Sequence, residues 1–293
     1  MISDHIIITG GRALARSFAK INLTLDVLNK REDGYHNVEM IMQTVSLFDL
    51  VLVDKTGGGI GITTNLRFLP CNEKNLAYAA AREFFKAAGI DGGCKIMIHK
   101  NIPVAAGLAG GSGNAAAVLC ALNMLYNTGF SAQQLCDIGL KLGADVPYCI
   151  LGGTYLAEGI GEKLSPLPPM PKCSILMVKP PINISTAAIY EKIDSEYIPG
   201  RPDTESMQRA IASGDTPAVA SHLSNVMSTV TESMHPIVRG IKEKMLKNGA
   251  LGAEMSGSGP TVFGIFPDYA SAKRSHDSFA YQFKDVYITA PVN

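Results

Sequence analysis

A glycine-rich segment that runs directly into an apolar helix is the stretch of this chain best suited to chemistry. It reads Pro103-Val-Ala-Ala-Gly-Leu-Ala-Gly-Gly-Ser-Gly-Asn-Ala-Ala-Ala-Val118, and residues 101–136 contain no Asp, Glu, Lys or Arg. Glycine lets backbone N–H groups approach a ligand without an intervening side chain. The N-terminus of the following helix adds free N–H groups and the positive end of a dipole, where phosphate is the usual ligand. The segment therefore predicts an anion site.

Plainer interpretations of the same segment remain open. A Gly/Ala run can be a flexible linker, although linkers are not normally followed by so apolar a helix. The lack of charge also suggests a membrane span, but the continuous apolar part, residues 115–125, is about half of the roughly 20 residues that a span requires. A tight turn before a core helix fits almost as well as phosphate binding. The residues of the segment alone do not decide between these two.

The residues next to the glycines exclude three common phosphate-binding motifs. A Walker loop requires a Gly-Lys pair, and the chain has none. A dinucleotide fingerprint requires G-x-G-x-x-G, whereas Gly111-Ser-Gly113 is followed by Asn-Ala-Ala. The His-Arg-Asp and Asp-Phe-Gly signatures of protein kinases are also absent.

Composition limits the class of protein. The 293 residues predict one large or two medium domains, and 46% hydrophobic with 18% charged residues is typical of a soluble globular protein. Lys plus Arg equals Asp plus Glu at 26 each, so no net field attracts a polyanion and nucleic acid is not an expected partner. The six histidines show no metal-ligand spacing, which gives zinc chemistry no support.

The cysteines and the N-terminus bear on location. Six widely spaced cysteines with no C-x-x-C pair, several of them in apolar stretches, are typical of a reducing compartment. The N-terminal sequence Met-Ile-Ser-Asp-His shows no basic region followed by an apolar one, so no secretory signal is visible. We expect a cytoplasmic protein with no membrane partner.

The elements that must position the glycine segment follow from periodicity. Strict alternation predicts a strand over residues 17–28, with Lys20 and Asn22 on its polar face, where both can reach one site. A turn at Asp33-Gly34 leads to a second extended run over 38–53, and short strands are expected over 60–63 and 95–99. Helices are predicted over 75–88 and from Ser131, as N-cap, to about residue 143.

The second half of the chain mixes helices and strands. The proline cluster at residues 165–172 should exclude regular structure, so we place a boundary there, with domains over 1–165 and 166–293. Strands are expected over 174–179, 261–266 and 286–289, and helices between 186 and 247 and over 269–279. Because no regular βαβ alternation appears, the predicted class is α+β.

Four segments in order, including the glycine segment, resemble one family. Ala19-Lys-Ile-Asn-Leu23, Asp33-Gly-Tyr-His36 and Gly143-Ala-Asp-Val-Pro147 accompany the glycine segment, with its Pro103, Gly107-Leu108 and Gly110-Gly111-Ser112. Together they resemble the GHMP small-molecule kinases, which include galactokinase, homoserine kinase and mevalonate kinase. The resemblance runs from near Arg16 to the Gly257-Ser-Gly259 loop. It implies a two-domain α+β fold, with the active site in a cleft between an N-terminal and a C-terminal domain.

The resemblance also implies roles for individual residues. Lys20 would stabilise the transferring charge and orient Asp145, which would accept the proton of the attacking hydroxyl. From the residues alone, a solvated strand lysine and a turn or capping aspartate remain open at these positions. ATP would be bound by the glycine segment and two further positions, namely Pro103, Val104, Ala105, Ala106, Gly107, Leu108, Ala109, Gly110, Gly111, Ser112, Gly113, Asn75 and Lys100. Magnesium would arrive with ATP, and its ligands stay unassigned.

The remaining matched residues imply the substrate. They narrow the resemblance to kinases that act on the 2-hydroxyl of a cytidine diphosphate-linked methylerythritol, in the non-mevalonate isoprenoid route. Tyr35 and His36 would hold the cytosine, Asn22 would contact substrate and Thr186 the diphosphate. Tyr190 would be a second aromatic of that pocket, although core packing is nearly as good an interpretation. Ser256-Gly257-Ser258-Gly259 would close the phosphate site, with a tight turn between strands as the alternative.

The chain departs from the family in the glycine segment. Glycine is usual where Ala105 and Ala106 stand, and frequent at Ala109. A Ser-Ser pair is common where this chain has Ser112-Gly113, so we expect anion binding to depend on backbone amides and Ser112. A mevalonate- or homoserine-type kinase, or a non-catalytic binding protein of the same fold, is the alternative function. We expect a monomer or a weak homodimer.

Overall fold

The computed structural model describes residues 1–195 and 199–293, and contacts divide the chain into two compact units. Unit 1 comprises Met1–Ala19, Leu47–Val104 and Ala109–Gly152; unit 2 comprises Lys20–Ser46, Ala105–Leu108 and Gly153–Asn293. The predicted α+β class is confirmed. Because each unit gathers separated stretches, this division does not test the boundary at residue 165. That boundary and the expected cleft stay predictions.

The first half of the chain supplies five strands and four helices after a 3₁₀ turn at Ile2–His5. In chain order they are β1 (Ile6–Thr9), β2 (Arg12–Lys30), β3 (His36–Thr56), β4 (Gly59–Thr64), α1 (Leu76–Ala88), β5 (Gly93–His99), α2 (Gly110–Tyr126), α3 (Ala132–Leu140) and α4 (Asp145–Leu151). The strands lie in the order β1-β2-β3-β5-β4, in which β4 and β5 are parallel.

Strand β2 is longer and more deeply buried than its alternation predicts. Residues 17–28 were expected to present one apolar and one solvated face, but over residues 19–27 both faces are buried. Lys20 is 5% exposed and Asn22 is fully buried. The interpretation of Lys20 as a solvated strand lysine is therefore wrong, and the polar side chains of this strand need partners inside the protein.

Helix α2 is the buried helix predicted after the glycine segment. Eleven of its residues are buried, and they pack against α1, α3 and α4 in the core of unit 1. It begins at Gly110, earlier than the apolar run, so Ser112 and Gly113 belong to its first turn. Within the described ranges, no helix is long and apolar enough to cross a membrane.

The helix ends predicted around α1 and α3 follow ordinary capping chemistry. Asn75 is the N-cap of α1 and accepts from the Ala77 N–H, and Gly89 ends that helix in the left-handed conformation. Ser131 is the N-cap of α3, and with Gln134 it forms a capping box. The predicted starts of both helices are confirmed.

Unit 2 contains the rest of the chain, together with parts of β2 and β3. Its further elements are β6 (Thr154–Glu158), β7 (Lys163–Pro166), β8 (Ser174–Lys179), α5 (Thr186–Ser195), α6 (Thr204–Ser213), α7 (Thr216–Ser221), β9 (Ser224–Asn225), α8 (Val226–Met234), α9 (Pro236–Lys247), β10 (Gly252–Met255), β11 (Val262–Phe266), α10 (Tyr269–Ala280) and β12 (Asp285–Thr289). Strands β10, β11, β8 and β12 form an antiparallel sheet in that order, against which α9 and α10 pack.

The proline cluster at residues 165–172 is only partly irregular. Ser165 and Pro166 end strand β7, which pairs with β6 alone, so the expectation that the whole cluster lacks regular structure is wrong. A proline is tolerated there because the free side of an edge strand needs no N–H donor.

Candidate functional site

Lys20 is a buried cation with a neutral partner. Its Nζ donates to Asn22 Oδ1 at 2.6 Å, and the Asn22 amide nitrogen lies 3.1 Å from Met40 Sδ. No acidic side chain of the described residues pairs with the Lys20 ammonium. A buried charge without a counter-charge is costly, so this ammonium is suited to an anion that arrives from outside.

Two glycine loops meet beside that ammonium within unit 2. A Cβ on Gly257 would lie 3.4 Å from Lys20 Nζ, and the Lys20 N–H donates to the Leu108 carbonyl at 3.2 Å. The Ser256 hydroxyl donates to the Gly107 carbonyl at 3.0 Å. Gly107 has φ +74° and a Cβ there would lie 2.2 Å from the Ser256 carbonyl oxygen, so no side chain fits. The predicted proximity of the second loop to the first is therefore present.

Thr186 joins the same group of residues. It is the first residue of α5, it is exposed, and its hydroxyl is hydrogen-bonded to the Ser258 hydroxyl at 2.8 Å. Lys20, Asn22, the Gly107-Leu108 part of the glycine segment and Thr186 are thus brought together around the second loop.

The N-terminus of α2 holds the other half of the glycine segment, in unit 1. Ala109, the N-cap, has φ +54°, and its carbonyl accepts the N–H of Gly113 at 2.8 Å. Among the described residues no side chain caps this helix, which leaves the first N–H groups of α2 available to a ligand, as the sequence predicts. Gly111 is exposed and Ser112 is partly exposed, whereas Gly113 is buried.

Gly113 faces strand β2 rather than solvent. A Cβ at this position would lie 2.7 Å from Ser17 Oγ and 3.3 Å from the Phe18 carbonyl oxygen. The hydroxyl that the family commonly carries here would therefore meet β2, and the Ser17 hydroxyl already fills that space. The dependence of anion binding on Ser112 stays a prediction.

Lys100 lies at the start of α2 but, unlike Lys20, has a carboxylate partner. Its Nζ forms an ion pair with Asp49 and donates to Asn114 Oδ1 at 3.1 Å, and a Cβ on Gly110 would lie 3.0 Å from that Nζ. The Lys100 side chain is 6% exposed and that of Asp49 is fully buried. Sequence reasoning missed Asp49 and Asn114. The available signal was a single acidic residue within the otherwise apolar run Leu47-Phe-Asp-Leu-Val51.

Two other predicted site residues of unit 1, Asn75 and Asp145, lie at the starts of helices. The Asn75 side chain caps α1 through its oxygen and donates to the Pro70 carbonyl at 2.9 Å, so its amide is already engaged. Asp145 is partly buried and is the first residue of α4, whose N-cap is Ala144. Its carboxylate has no hydrogen-bond or ion-pair partner in the part of the chain that the structure describes.

The residues predicted to hold a base lie in unit 2, where two of the three, His36 and Tyr190, stack on each other. Tyr35 follows the Asp33-Gly34 turn and is 62% exposed, while His36 begins β3 and stacks on Tyr190 with ring centroids 4.5 Å apart. His36 Nε2 lies 2.7 Å from Asp194 Oδ1, and Lys30 Nζ donates to Oδ2 of that carboxylate at 2.8 Å. Hydrogen bonds from Lys30 and then His36 hold the pKa of Asp194 below its usual value. Asp194 was not found from the sequence.

The donor set for a metal ion is sparse. The described residues contain no group of three or more His, Cys, Asp or Glu side chains that could hold an ion. Magnesium often keeps several waters and binds through one or two protein oxygens together with substrate phosphates. The partly exposed Ser112 hydroxyl in the first turn of α2 is an oxygen donor that fits an ion of that kind, carried in by a nucleotide.

Family models match both halves of the chain. The model of the GHMP kinases N terminal domain matches residues 75–153, which contain the glycine segment and Asp145. The model of the GHMP kinases C terminal domain matches residues 207–285, which contain the second glycine loop.

Individual relatives are similar over nearly the whole chain. The 4-diphosphocytidyl-2-C-methyl-D-erythritol kinase of Clostridium novyi (strain NT) is 47% identical over 277 residues, covering 94% of this chain and 99% of the relative. A crystal structure of 4-(cytidine 5'-diphospho)-2C-methyl-D-erythritol kinase has a TM-score of 0.83 at 31% identity, covering 96% of this chain and 99% of that one. The homoserine kinase from Cytophaga hutchinsonii, with a TM-score of 0.73 at 19% identity over 97% of this chain and 96% of its own, shares the fold alone. The mevalonate- or homoserine-type alternative is therefore not favoured.

Proposed function

The chain belongs to the 4-diphosphocytidyl-2-C-methyl-D-erythritol kinases, a branch of the GHMP kinases, and from that membership we propose the reaction and the role of each site residue. It is an ATP-dependent phosphotransferase of isoprenoid precursor synthesis. The proposed reaction transfers the γ-phosphoryl group of ATP to the 2-hydroxyl of the cytidyl alcohol, giving the 2-phosphate and ADP.

The observation that carries the proposal is the ammonium of Lys20, which has no acidic partner among the residues that the structure describes. Phosphoryl transfer needs positioning and charge neutralisation more than covalent chemistry. This cation is 5% exposed, lies beside Gly257 and, among the described side chains, is bonded to Asn22 alone, so it supplies a charge that none of them compensates. Lys20 stabilises the negative charge on the transferring phosphoryl group, and Asn22 keeps its ammonium in place. Lys100 is less suited to this role because Asp49 already neutralises it.

Asp145 is assigned as the general base that accepts the proton of the attacking hydroxyl. Support comes from its carboxylate, which begins α4 and has no partner among the described residues. An unengaged carboxylate can accept a hydrogen bond from the alcohol and take its proton as the new P–O bond forms. Asp145→Asn should therefore lower kcat by at least about a hundredfold.

The nucleotide phosphates are assigned to the glycine segment, residues 103–113. Their oxygens would accept from the free N–H groups of the first turn of α2 and from the Ser112 hydroxyl. Magnesium bound to those phosphates would neutralise part of their charge, with the Ser112 hydroxyl as the protein oxygen that fits it. Asn75 and Lys100 are assigned to the adenine side of the nucleotide.

The cytidine diphosphate part is assigned to unit 2. Tyr35 is exposed enough to stack on the base, and His36 is held against Tyr190 by Asp194 and by ring stacking. Thr186, bonded to Ser258, is assigned to the diphosphate.

A coupled ADP-release assay over a small panel of alcohols tests this function. Purified protein should consume ATP with the cytidyl alcohol and not with mevalonate or homoserine. Consumption with either of the latter but not with the cytidyl alcohol would contradict the substrate assignment. ATP binding without turnover of any alcohol in the panel would favour a non-catalytic member. The expected monomer or weak homodimer, the cytoplasmic location and the lack of nucleic-acid or membrane partners stay predictions, of which light scattering would test the first.

A further inference from the structure

Asp49 lies outside every motif that the sequence analysis singled out, yet its carboxylate is fully buried on β3 and accepts four hydrogen bonds. Oδ1 accepts from the backbone N–H groups of Asn101 at 2.7 Å and Ile102 at 2.8 Å. Oδ2 accepts from Asn114 Nδ2 at 2.9 Å and from Lys100 Nζ.

The donors to Asp49 lie on both sides of the glycine segment in the sequence. Lys100, Asn101 and Ile102 come immediately before residues 103–113, the part of the glycine segment assigned to the phosphates, and Asn114 comes immediately after that part. One carboxylate therefore binds both ends of the segment formed by residues 103–113. Asn114 is fixed further, because its Nδ2 also donates to Ser17 Oγ at 3.1 Å.

The segment between these two ends needs such fixing. Ala105 has φ +51° and Ala109 has φ +54°, a backbone region that residues with a Cβ disfavour. Strained backbone persists where the surrounding structure over-determines it. The anchored ends of the segment therefore help to hold these two alanines in the left-handed conformation.

We propose that Asp49 is a positioning residue for nucleotide binding, which clamps both ends of the glycine segment so that its N–H groups stay aimed at the phosphates. This inference rests on the proposed function, since it concerns the same phosphate site. The competing explanation is a buried ion pair with Lys100 that serves stability alone. That explanation gives no role to the two backbone N–H groups or to Asn114.

The first test measures nucleotide affinity without the alcohol substrate. Calorimetry of AMP-PNP with magnesium should give a dissociation constant for Asp49→Asn that is raised about tenfold or more. Asp54→Asn is the matched control, because Asp54 lies on the same strand in a partly exposed ion pair with Arg12. The Asp54→Asn variant should bind AMP-PNP with the affinity of the wild type. Wild-type affinity in Asp49→Asn would overturn the proposal.

Two further variants separate positioning from stability. Asn114→Ala cuts one arm of the clamp and leaves the Asp49–Lys100 ion pair intact, so it should fold and still bind AMP-PNP more weakly. Adding Ala105→Gly and Ala109→Gly to Asp49→Asn removes the disfavoured side chains and should recover part of the lost affinity. Wild-type binding by Asn114→Ala, or no recovery with the loop glycines, would assign Asp49 to stability alone. Failure of the wild type to turn over the cytidyl alcohol, with these binding results intact, would contradict the proposed function and leave the clamp standing.

Discussion

Two lysines with buried side chains should respond in opposite directions to the same substitution. Lys20 is 5% exposed and lacks an acidic partner among the described residues, whereas the Lys100 side chain is 6% exposed and is paired with the fully buried Asp49. Methionine has a similar length and no charge. Lys20→Met and Lys100→Met, each measured without ligands, therefore compare an uncompensated cation with a compensated one.

The magnitudes follow from what each substitution leaves behind. Taking an unpaired ammonium out of water costs several kcal/mol, and Lys20→Met removes that cost. It also leaves Asn22 Oδ1 without its donor, which costs about 1 to 3 kcal/mol. We expect Lys20→Met to raise the free energy of unfolding by about 1 kcal/mol or more. Lys100→Met strands the Asp49 carboxylate, which keeps three N–H donors, and should lower the free energy of unfolding by about 3 kcal/mol.

Urea unfolding followed by circular dichroism gives both free energies, and the coupled assay gives kcat for the same preparations. Lys20→Met should be more stable than the wild type and at least about a hundredfold slower, as expected when a destabilising group is kept for function. If Lys20→Met lowers the free energy of unfolding as much as Lys100→Met does, the ammonium of Lys20 stabilises the fold. The lack of an acidic partner would then not mark Lys20 as a functional residue.

Three further outcomes are expected. Gly113→Ser should lower the free energy of unfolding by about 1 to 3 kcal/mol in urea titrations, because its Cβ would lie 2.7 Å from Ser17 Oγ, and Ser17→Ala in the same chain should recover most of that loss. Iodoacetamide on the folded protein should label the exposed Cys71 and spare Cys120, since burial raises the pKa of the Cys120 thiol to about 12; peptide mapping that finds Cys120 labelled first would contradict this. Asp194→Asn should raise the KM for the cytidyl alcohol several-fold and leave the KM for ATP unchanged in the coupled assay, because it weakens the hold on His36; equal rises in both would contradict that assignment.

Local signals in the sequence predicted most of the elements. Alternation predicted β2 to within five residues of its ends, and the extended run after the Asp33-Gly34 turn predicted β3 to within three. Ser131 was identified as the N-cap of α3, and the start of α1 was placed at its cap Asn75, because N-capping depends on a few neighbouring residues. The start of α2 was placed too late because glycine lowers helix propensity, although free N–H groups and the N-cap conformation decide where that helix begins.

Long-range contacts were beyond sequence reasoning. Alternation along β2 gives no information about what covers its polar face, so the sequence left open that Lys20 is exposed to solvent. The burial of both faces of the strand excludes that. Asp49 and Asp194 are recognisable only through partners more than 50 and 150 residues away in the chain, Lys100 and His36. The assignment of Lys20 and Asp145 came from the resemblance to a family, and their catalytic roles stay predictions.

The left-handed alanines of the glycine segment set which mutations it can tolerate. Ala105 and Ala109 are two of the three described non-glycine residues with positive φ, and each costs about 1 to 2 kcal/mol relative to an ordinary conformation. In a saturation library selected for kinase activity, glycine should therefore rank above alanine at both positions, with asparagine tolerated and valine or isoleucine lost. At these two sites a lineage can drift towards glycine, whereas a β-branched side chain would disfavour the conformation that the segment needs.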